Sequence, residues 1–317
     1  MIIIISIILF NFMFLFLIAW IWYFKTEMNT AEKFYSQGFE AFKHKDYNKA
    51  IKLFLKSITV QPNFKESLLW LGLSYLQIKE LDKAKESFEK ILKTQPKDFD
   101  ALFNLAHTLQ FQNAFEEAKE IYNKAIKENA KSTDCYFHLG VMTFIEKHYE
   151  ESLEYFQKAK ELSPNNARIA FYIARCKDEI CSYDSMEEGQ LVIDEYLKVT
   201  THENIPPLFN ITLAKAYAKT GQIDHALANC KKALAVNDKD IESYKLLGLL
   251  QLLKKDSKEA RNALSTAISL ERHNAEAHDI LSYALCQHDD RTVVQNCRLE
   301  YKKIIKKKSR LSNLNSV

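Results

Sequence analysis

The sequence predicts an all-α protein in which helical hairpins repeat along the chain as a solenoid. The stretch Lys65–Asp98 is 34 residues long and places apolar side chains at helical spacing in two successive runs. The same pattern recurs in register before and after this stretch. The chain has 317 residues but only six glycines and five prolines, as expected for a protein that is mostly helix.

The unit Lys65–Asp98 divides into two short amphipathic helices. Its recurring residues are Leu68, Leu71, Gly72 and Tyr75 on the first helix and Ala84 and Phe88 on the second. Gly72 and Ala84 are small, which lets the two helices cross closely, and Pro96 ends the second helix because proline cannot continue one. One hairpin of this size cannot bury its apolar face alone, so neighbouring copies must stack.

These residues resemble the signature of the tetratricopeptide repeat (TPR) family. Further copies of the signature begin at Ala31, Phe99, Thr133, Pro207 and Ile241, with a degenerate copy from Ala275. The resemblance covers about residues 31–308. It implies a right-handed superhelical solenoid of about eight TPR hairpins. One transmembrane helix, predicted from the apolar N-terminal segment, would precede this solenoid.

The predicted organisation has six parts. They are an anchor at 1–24, a linker at 25–30, four repeats at 31–166, an irregular repeat at 167–206, three repeats with a capping helix at 207–308, and a basic tail at 309–317. The irregular repeat should contain helices from Ala167 to about Ile180 and from about Met186 to Val199. Its extra residues predict either a bend between two groups of repeats or a passive loop insertion.

The first 24 residues carry no charged side chain. As a helix they would be about 36 Å long at about 1.5 Å per residue, enough to cross a hydrocarbon core of about 30 Å. Trp20, Trp22 and Tyr23 resemble an interfacial aromatic belt. A retained anchor is favoured over a cleaved signal peptide because no basic residue precedes the apolar run. Translation from Met28 would instead give a soluble protein.

The basic residues near this segment predict its orientation. Lys25, Lys33, Lys43 and Lys45 follow the segment and none precedes it, which places the repeats on the cytoplasmic side by the positive-inside rule. None of the six cysteines forms a C-x-x-C motif, which favours reduced thiols and agrees with that side. A periplasmic or luminal repeat domain is the alternative.

Charge and motifs argue against nucleic-acid binding and catalysis. The formal net charge is +3, and a C-terminal cluster supplies six positive charges, from Lys302, Lys303, Lys306, Lys307, Lys308 and Arg310. This cluster either completes a polar capping helix or contacts anionic lipid head groups. The rest of the chain is net acidic, so no nucleic acid is expected as a partner. No H-E-x-x-H, G-x-S-x-G or glycine-rich phosphate loop occurs, so we predict no catalytic, metal-binding or cofactor-binding residue.

The resemblance also assigns a concave groove. In the family, the second, fifth, sixth, ninth, twelfth and thirteenth places of each first helix line it. Here the candidate groove residues are Tyr35, Phe39, Phe42, Leu69, Trp70, Leu73, Phe103, Asn104, His107, Phe111, Phe137, His138, Val141, Phe144, Phe171, Tyr172 and Arg175. Trp70 and the apolar residues at the ninth place favour an apolar protein-binding groove. Alternatively, neighbouring coils or the irregular repeat fill the groove.

Together these features favour a membrane-anchored TPR scaffold that binds a protein or peptide segment in its groove and helps to assemble a complex at the membrane. One rival is a soluble assembly protein that begins at Met28 and self-associates through its repeats. A rival of another class is an enzyme whose site no motif reveals.

Overall fold

The computed structural model describes residue 26, residues 29–271 and residue 280. These residues form an all-α structure without strands. The helices are α1 (29–43), α2 (Tyr47–Val60), α3 (Lys65–Gln77), α4 (Leu81–Thr94), α5 (Phe99–Phe111), α6 (Phe115–Glu128), α7 (Thr133–Ile145), α8 (Tyr149–Leu162), α9 (Ala167–Ile180), α10 (Met186–Val199), α11 (Phe209–Lys219), α12 (Ile223–Val236), α13 (Ile241–Leu253) and α14 (Ser257–Leu270).

The helices group into two compact units. Among the described residues, unit 1 extends to Lys147 and contains α1–α7, and unit 2 begins at His148 and contains α8–α14. Within each unit, every helix from α2 onward packs against the next one along the chain. In unit 1, α5 also contacts α3 on one side and α7 on the other, so the first helices of successive hairpins lie side by side.

The turn inside each of the regular hairpins has a recurring backbone conformation. Lys45, Lys79 and Asn113 have φ values of 60°, 62° and 60°, and Gly221 occupies the equivalent place with φ 79°. In the second hairpin the Glu80 amide donates to the Tyr75 carbonyl at 3.0 Å, which closes the end of α3 as a left-handed C-cap does. Residues other than glycine adopt this left-handed region at an energetic cost, so the backbone at these lysines is mildly strained.

Small residues allow the two helices of a hairpin to cross closely, as predicted. Ala84 and Phe88 of α4 are fully buried against α3. A Cβ atom at Gly72 would lie 2.6 Å from Cε1 of Phe88, closer than packed atoms tolerate. The Phe88 ring therefore occupies the space that the missing side chain leaves, and glycine is required there by this close approach.

The irregular repeat has both expected helices, α9 and α10. Gly189 and Ile193 of α10 are buried at the places where regular repeats carry alanine and an aromatic residue. A Cβ atom at Gly189 would overlap Cγ2 of Thr220, the residue that follows α11. Glycine at this place therefore lets α10 approach the end of α11 closely.

Several sequence predictions lie outside the described residues. They concern the apolar segment 1–24, the degenerate hairpin from Ala275, the capping helix and the basic tail. Among the helices of the described part, none combines the length and apolar character that crossing a bilayer requires. Four cysteines fall within the described part, Cys135, Cys176, Cys181 and Cys230, and all four are free thiols.

Candidate protein-binding surface

The groove residues predicted in unit 1 lie along α1, α3, α5 and α7. Most are half-buried, namely Tyr35, Phe39, Phe42, Leu69, Trp70, Leu73, Phe103, Asn104, His107, His138, Val141 and Phe144. Phe111 is 58% exposed, whereas Phe137 is only 7% exposed. We call the half-buried residues and Phe111 the unit-1 strip. Phe137 belongs to the core and offers little surface to a partner.

Trp70 is the centre of one aromatic cluster in the strip. Its ring meets Phe39 edge to face at a centroid distance of 4.7 Å and Phe42 at 4.9 Å. Tyr35 stacks on Phe39 at 6.2 Å and also meets the core ring of Phe54 at 6.2 Å. Edge-to-face pairs of this kind add about 0.5–1.5 kcal/mol each to the burial of the rings. Trp70 therefore stabilises the contact between α1 and α3 while part of its surface remains accessible.

A second aromatic cluster lies on α5 and α7. His107 is 4.6 Å from Phe111, 4.9 Å from His138 and 6.1 Å from Phe103, between ring centroids. His138 stacks on the buried ring of Tyr122, with a centroid distance of 5.6 Å and an interplanar angle of 4°. This cluster therefore extends from the core at Tyr122 to the exposed ring of Phe111.

The electrostatic character of the strip follows from its residue types. At the fifth, sixth, ninth and twelfth places of α1, α3, α5 and α7 there is no Asp, Glu, Lys or Arg. Burial lowers the pKa of His107, because a charged imidazolium is poorly solvated there. The strip is therefore apolar and uncharged in its central positions at neutral pH, and it can accept an apolar or aromatic segment.

The groove residues predicted in unit 2 have other surroundings. Phe171 is 2% exposed, because its ring packs 6.3 Å from both Tyr196 and Phe209. The Arg175 guanidinium lies 5.4 Å from the centroid of Tyr172 and 5.8 Å from that of Phe171, as in cation–π contacts. Arg175 therefore lies over the rings at these places in unit 2 instead of leaving them uncovered.

Ion pairs also cross this part of unit 2. Glu242 of α13 lies 2.6 Å from the buried Lys245 and 3.7 Å from Lys215 of α11. At the fifth and ninth places, where Lys245 and Lys215 lie, unit 1 carries no charge, whereas the second place, where Glu242 lies, is acidic in unit 1 too. The two units thus differ at the fifth and ninth places, which are uncharged in unit 1 and include charged residues in unit 2.

A buried carboxylate, Asp178, connects three helices and the loop of the irregular repeat. It lies at the twelfth place of α9, and its side chain is 7% exposed. Its oxygens accept hydrogen bonds from the hydroxyls of Tyr183 at 2.5 Å and Tyr196 at 3.0 Å, and Lys219 Nζ lies at 2.5 Å. Burial raises the pKa of Tyr196, which therefore stays a neutral donor. We call Asp178, Tyr183, Tyr196 and Lys219 the Asp178 network.

An open pocket of about 610 Å³ lies beside the same loop, between the end of α9 and α10. Ile180 and Leu191 supply apolar surface, but charged groups in it already pair with one another: Glu195 lies 3.0 Å from Lys177 and 2.5 Å from Lys198. Across the described ranges, no group of three or more His, Cys, Asp or Glu side chains is arranged to hold a metal ion.

The repeat geometry agrees with comparisons to protein families. Family models described as tetratricopeptide repeat match residues 35–99, 79–136, 133–166 and 209–240, together more than half of the chain. The chain belongs to the tetratricopeptide repeat family. No curated protein sequence is significantly similar to it.

Solved structures of TPR proteins share the fold. A TPR protein from Parabacteroides merdae superposes with a TM-score of 0.60 at 18% identity, covering 81% of this chain and 99% of the other. The pilF protein of Pseudomonas aeruginosa gives 0.59 at 20% identity, covering 69% and 96%. A chain of the APC/C hetero-tetramer Cut9–Hcn1 gives 0.63 at 18% identity, covering 77% of this chain but only 47% of its own length. At these identities the likeness concerns the TPR fold alone.

Sequence analysis did not anticipate two features of this TPR protein. Tyr122, on the second helix α6, is a buried ring that supports His138 of the strip from beneath, although only the inward places of first helices were considered. Asp178 was not recognised as a buried anchor. The sequence did contain an indication of this role. Asp178 is a carboxylate at the twelfth place, whereas α1 and α3 have the apolar residues Phe42 and Leu76 there.

Proposed function

We propose that this TPR protein is a scaffold whose unit-1 strip binds an apolar segment of a partner protein. The observation that carries the proposal is the contrast between the two units. The first helices of unit 1 present aromatic rings without charges at the central places, whereas unit 2 places charged groups there. TPR proteins as a family are in general non-enzymatic scaffolds, which agrees with a binding role.

The proposal extends to the membrane. Residues 1–24 have the length and composition of a bilayer anchor. Lys25, Lys33, Lys43 and Lys45 support a position of the repeats on the cytoplasmic side. In this account, the scaffold captures its partner at the membrane surface and brings it to a membrane-bound assembly. The basic cluster from Lys302 to Arg310 could add contacts with anionic lipids, and partner segments could include another copy of the chain.

The test is a quantitative comparison of captured proteins. The full-length chain and its variants are crosslinked in native membranes, isolated, and compared by mass spectrometry. Phe111→Glu places a charge on the strip at a 58% exposed position, so the fold should tolerate the substitution. Leu191→Glu is the matched control, because Leu191 is 66% exposed and belongs to unit 2.

The proposal predicts partner proteins that wild type and Leu191→Glu capture equally and that Phe111→Glu loses. Aromatic anchors in a binding site commonly contribute about 2 kcal/mol or more, so capture should fall about thirtyfold or more. Equal capture by all three chains would place the binding surface elsewhere. Recovery of the native protein without residues 1–24, wholly in the soluble fraction, would contradict the membrane part of the proposal.

A further inference from the structure

The uncharged strip has a candidate ligand in the chain itself. Residues 1–24 contain no charged side chain and consist mainly of Ile, Leu, Phe and other apolar residues. Only residues 25–28 separate this segment from α1, whose face carries Tyr35, Phe39 and Phe42. An apolar segment is therefore tethered beside an apolar surface that it matches in composition and charge.

The lengths are compatible with docking. Neighbouring packed helices have axes about 8–10 Å apart, so α1, α3, α5 and α7 together extend about 25–30 Å. An extended peptide covers that distance with about eight or nine residues at about 3.3 Å each. A helix needs about 18 residues at about 1.5 Å each. The 24-residue segment is long enough for either arrangement.

Tethering also favours docking over capture of a free partner. A ligand attached through a short linker that can span the distance has an effective concentration in the millimolar range. The hydrophobic effect favours burial of an apolar segment over its exposure to water. Residues 1–24 can be buried either in the bilayer or against the strip, but the same residues cannot be in both places at once.

We propose that residues 1–24 occupy the unit-1 strip when no bilayer receives them, so that their insertion into a membrane frees the strip for a partner. This inference rests on the proposed role of the strip as a binding surface. It adds that the segment is a tethered competitor for that surface. Docking of residues 1–24 on the strip excludes both their membrane insertion and partner binding. By linkage, membrane insertion and partner binding therefore favour each other.

The test uses the full-length chain, made by cell-free synthesis with a photoreactive benzophenone amino acid at Phe111. The chain is crosslinked first without lipid and then after addition of liposomes of phosphatidylcholine and phosphatidylglycerol. Leu191 carries the benzophenone in the matched control, since it is comparably exposed but belongs to unit 2. Mixing isotopically light and heavy chains distinguishes links within one chain from links between copies.

The proposal predicts crosslinks from position 111 to peptides of residues 1–24 of the same chain without lipid, and their loss on addition of liposomes. Leu15→Asp, which places a charge in the segment, should abolish them. No excess over position 191, or links only between light and heavy chains, would overturn docking within the chain. Crosslinks that persist at full level on liposomes would overturn the coupling to membrane insertion.

The outcome is separable from the proposed function. A strip that loses its partner on Phe111→Glu but never crosslinks to residues 1–24 is a binding site without a tethered competitor. A strip that crosslinks to residues 1–24 but captures no protein in a Phe111-dependent way serves the segment alone, which would overturn the scaffold function.

Discussion

Replacing Asp178 by asparagine should weaken unit 2 more than any exposed charge change. Removing one partner of a buried ion pair costs about 3–5 kcal/mol, because the other charge stays in a poorly solvated place. Here the side chain of Lys219 is 21% exposed, so water can partly solvate its charge. The amide oxygen of asparagine also still accepts a hydrogen bond from a tyrosine. We therefore expect the free energy of unfolding to fall by about 3 kcal/mol, near the lower end of this range.

The assay is urea unfolding of the full-length chain followed by far-UV circular dichroism. With a slope of about 1–3 kcal/mol per molar urea, the expected loss moves the transition of unit 2 down by about 1–3 M. Asp224→Asn is the matched control, because Asp224 lies 2.7 Å from Lys254 but its side chain is 83% exposed. That variant should unfold like wild type, since exposed pairs are well screened.

A double-mutant cycle separates the ion pair from the two tyrosine hydrogen bonds. Asp178→Asn should cost less in a Lys219→Gln background, because no lysine charge is then left behind. Equal midpoints for Asp178→Asn, Asp224→Asn and wild type would refute the reasoning. In that case the Asp178 network would contribute nothing to the contact between α9 and α11.

Three further predictions concern unit 1. Ala84→Leu should destabilise the chain by about 1–3 kcal/mol through overpacking, since Ala84 is fully buried; an unchanged urea midpoint would contradict the repeat register. Lys79→Gly should raise the midpoint, because glycine relieves the left-handed turn, whereas Lys79→Val should lower it. Acidification should lower both stability and strip binding. The folded pKa of His107 lies below its unfolded value, so the unfolded chain binds the proton first. The loss begins as pH falls through the ordinary histidine range near 6.5 and is complete below the depressed folded pKa. A His107→Gln variant should lose this part of the pH dependence, as measured by urea titrations at several pH values.

Much of the fold follows from the 34-residue period. Gly72, Ala84 and Phe88 have sizes that fit one another across a single hairpin, so local spacing suffices to predict their packing. The hairpins around them repeat the same geometry. For this reason the helices of even the irregular repeat could be placed from sequence.

The burial of individual groove residues could not be predicted in the same way. Phe171 occupies an inward place by register, yet it is buried because Tyr196 and Phe209 of the following helices reach it. Asp178 meets Lys219 across 41 residues of chain, and no local pattern specifies that pairing. Contacts between successive repeats decide these features, and they depend on side-chain lengths in both partners.

The most direct measurement of the central claim is the affinity of a captured partner segment for wild type and for Trp70→Ala. Both affinities must be measured well below the unfolding midpoint, because Trp70 also packs against Phe39 and Phe42. If the unit-1 strip is the binding surface, the variant should bind about thirtyfold more weakly or worse, which corresponds to about 2 kcal/mol. A folded Trp70→Ala chain that binds the segment as tightly as wild type would contradict the account.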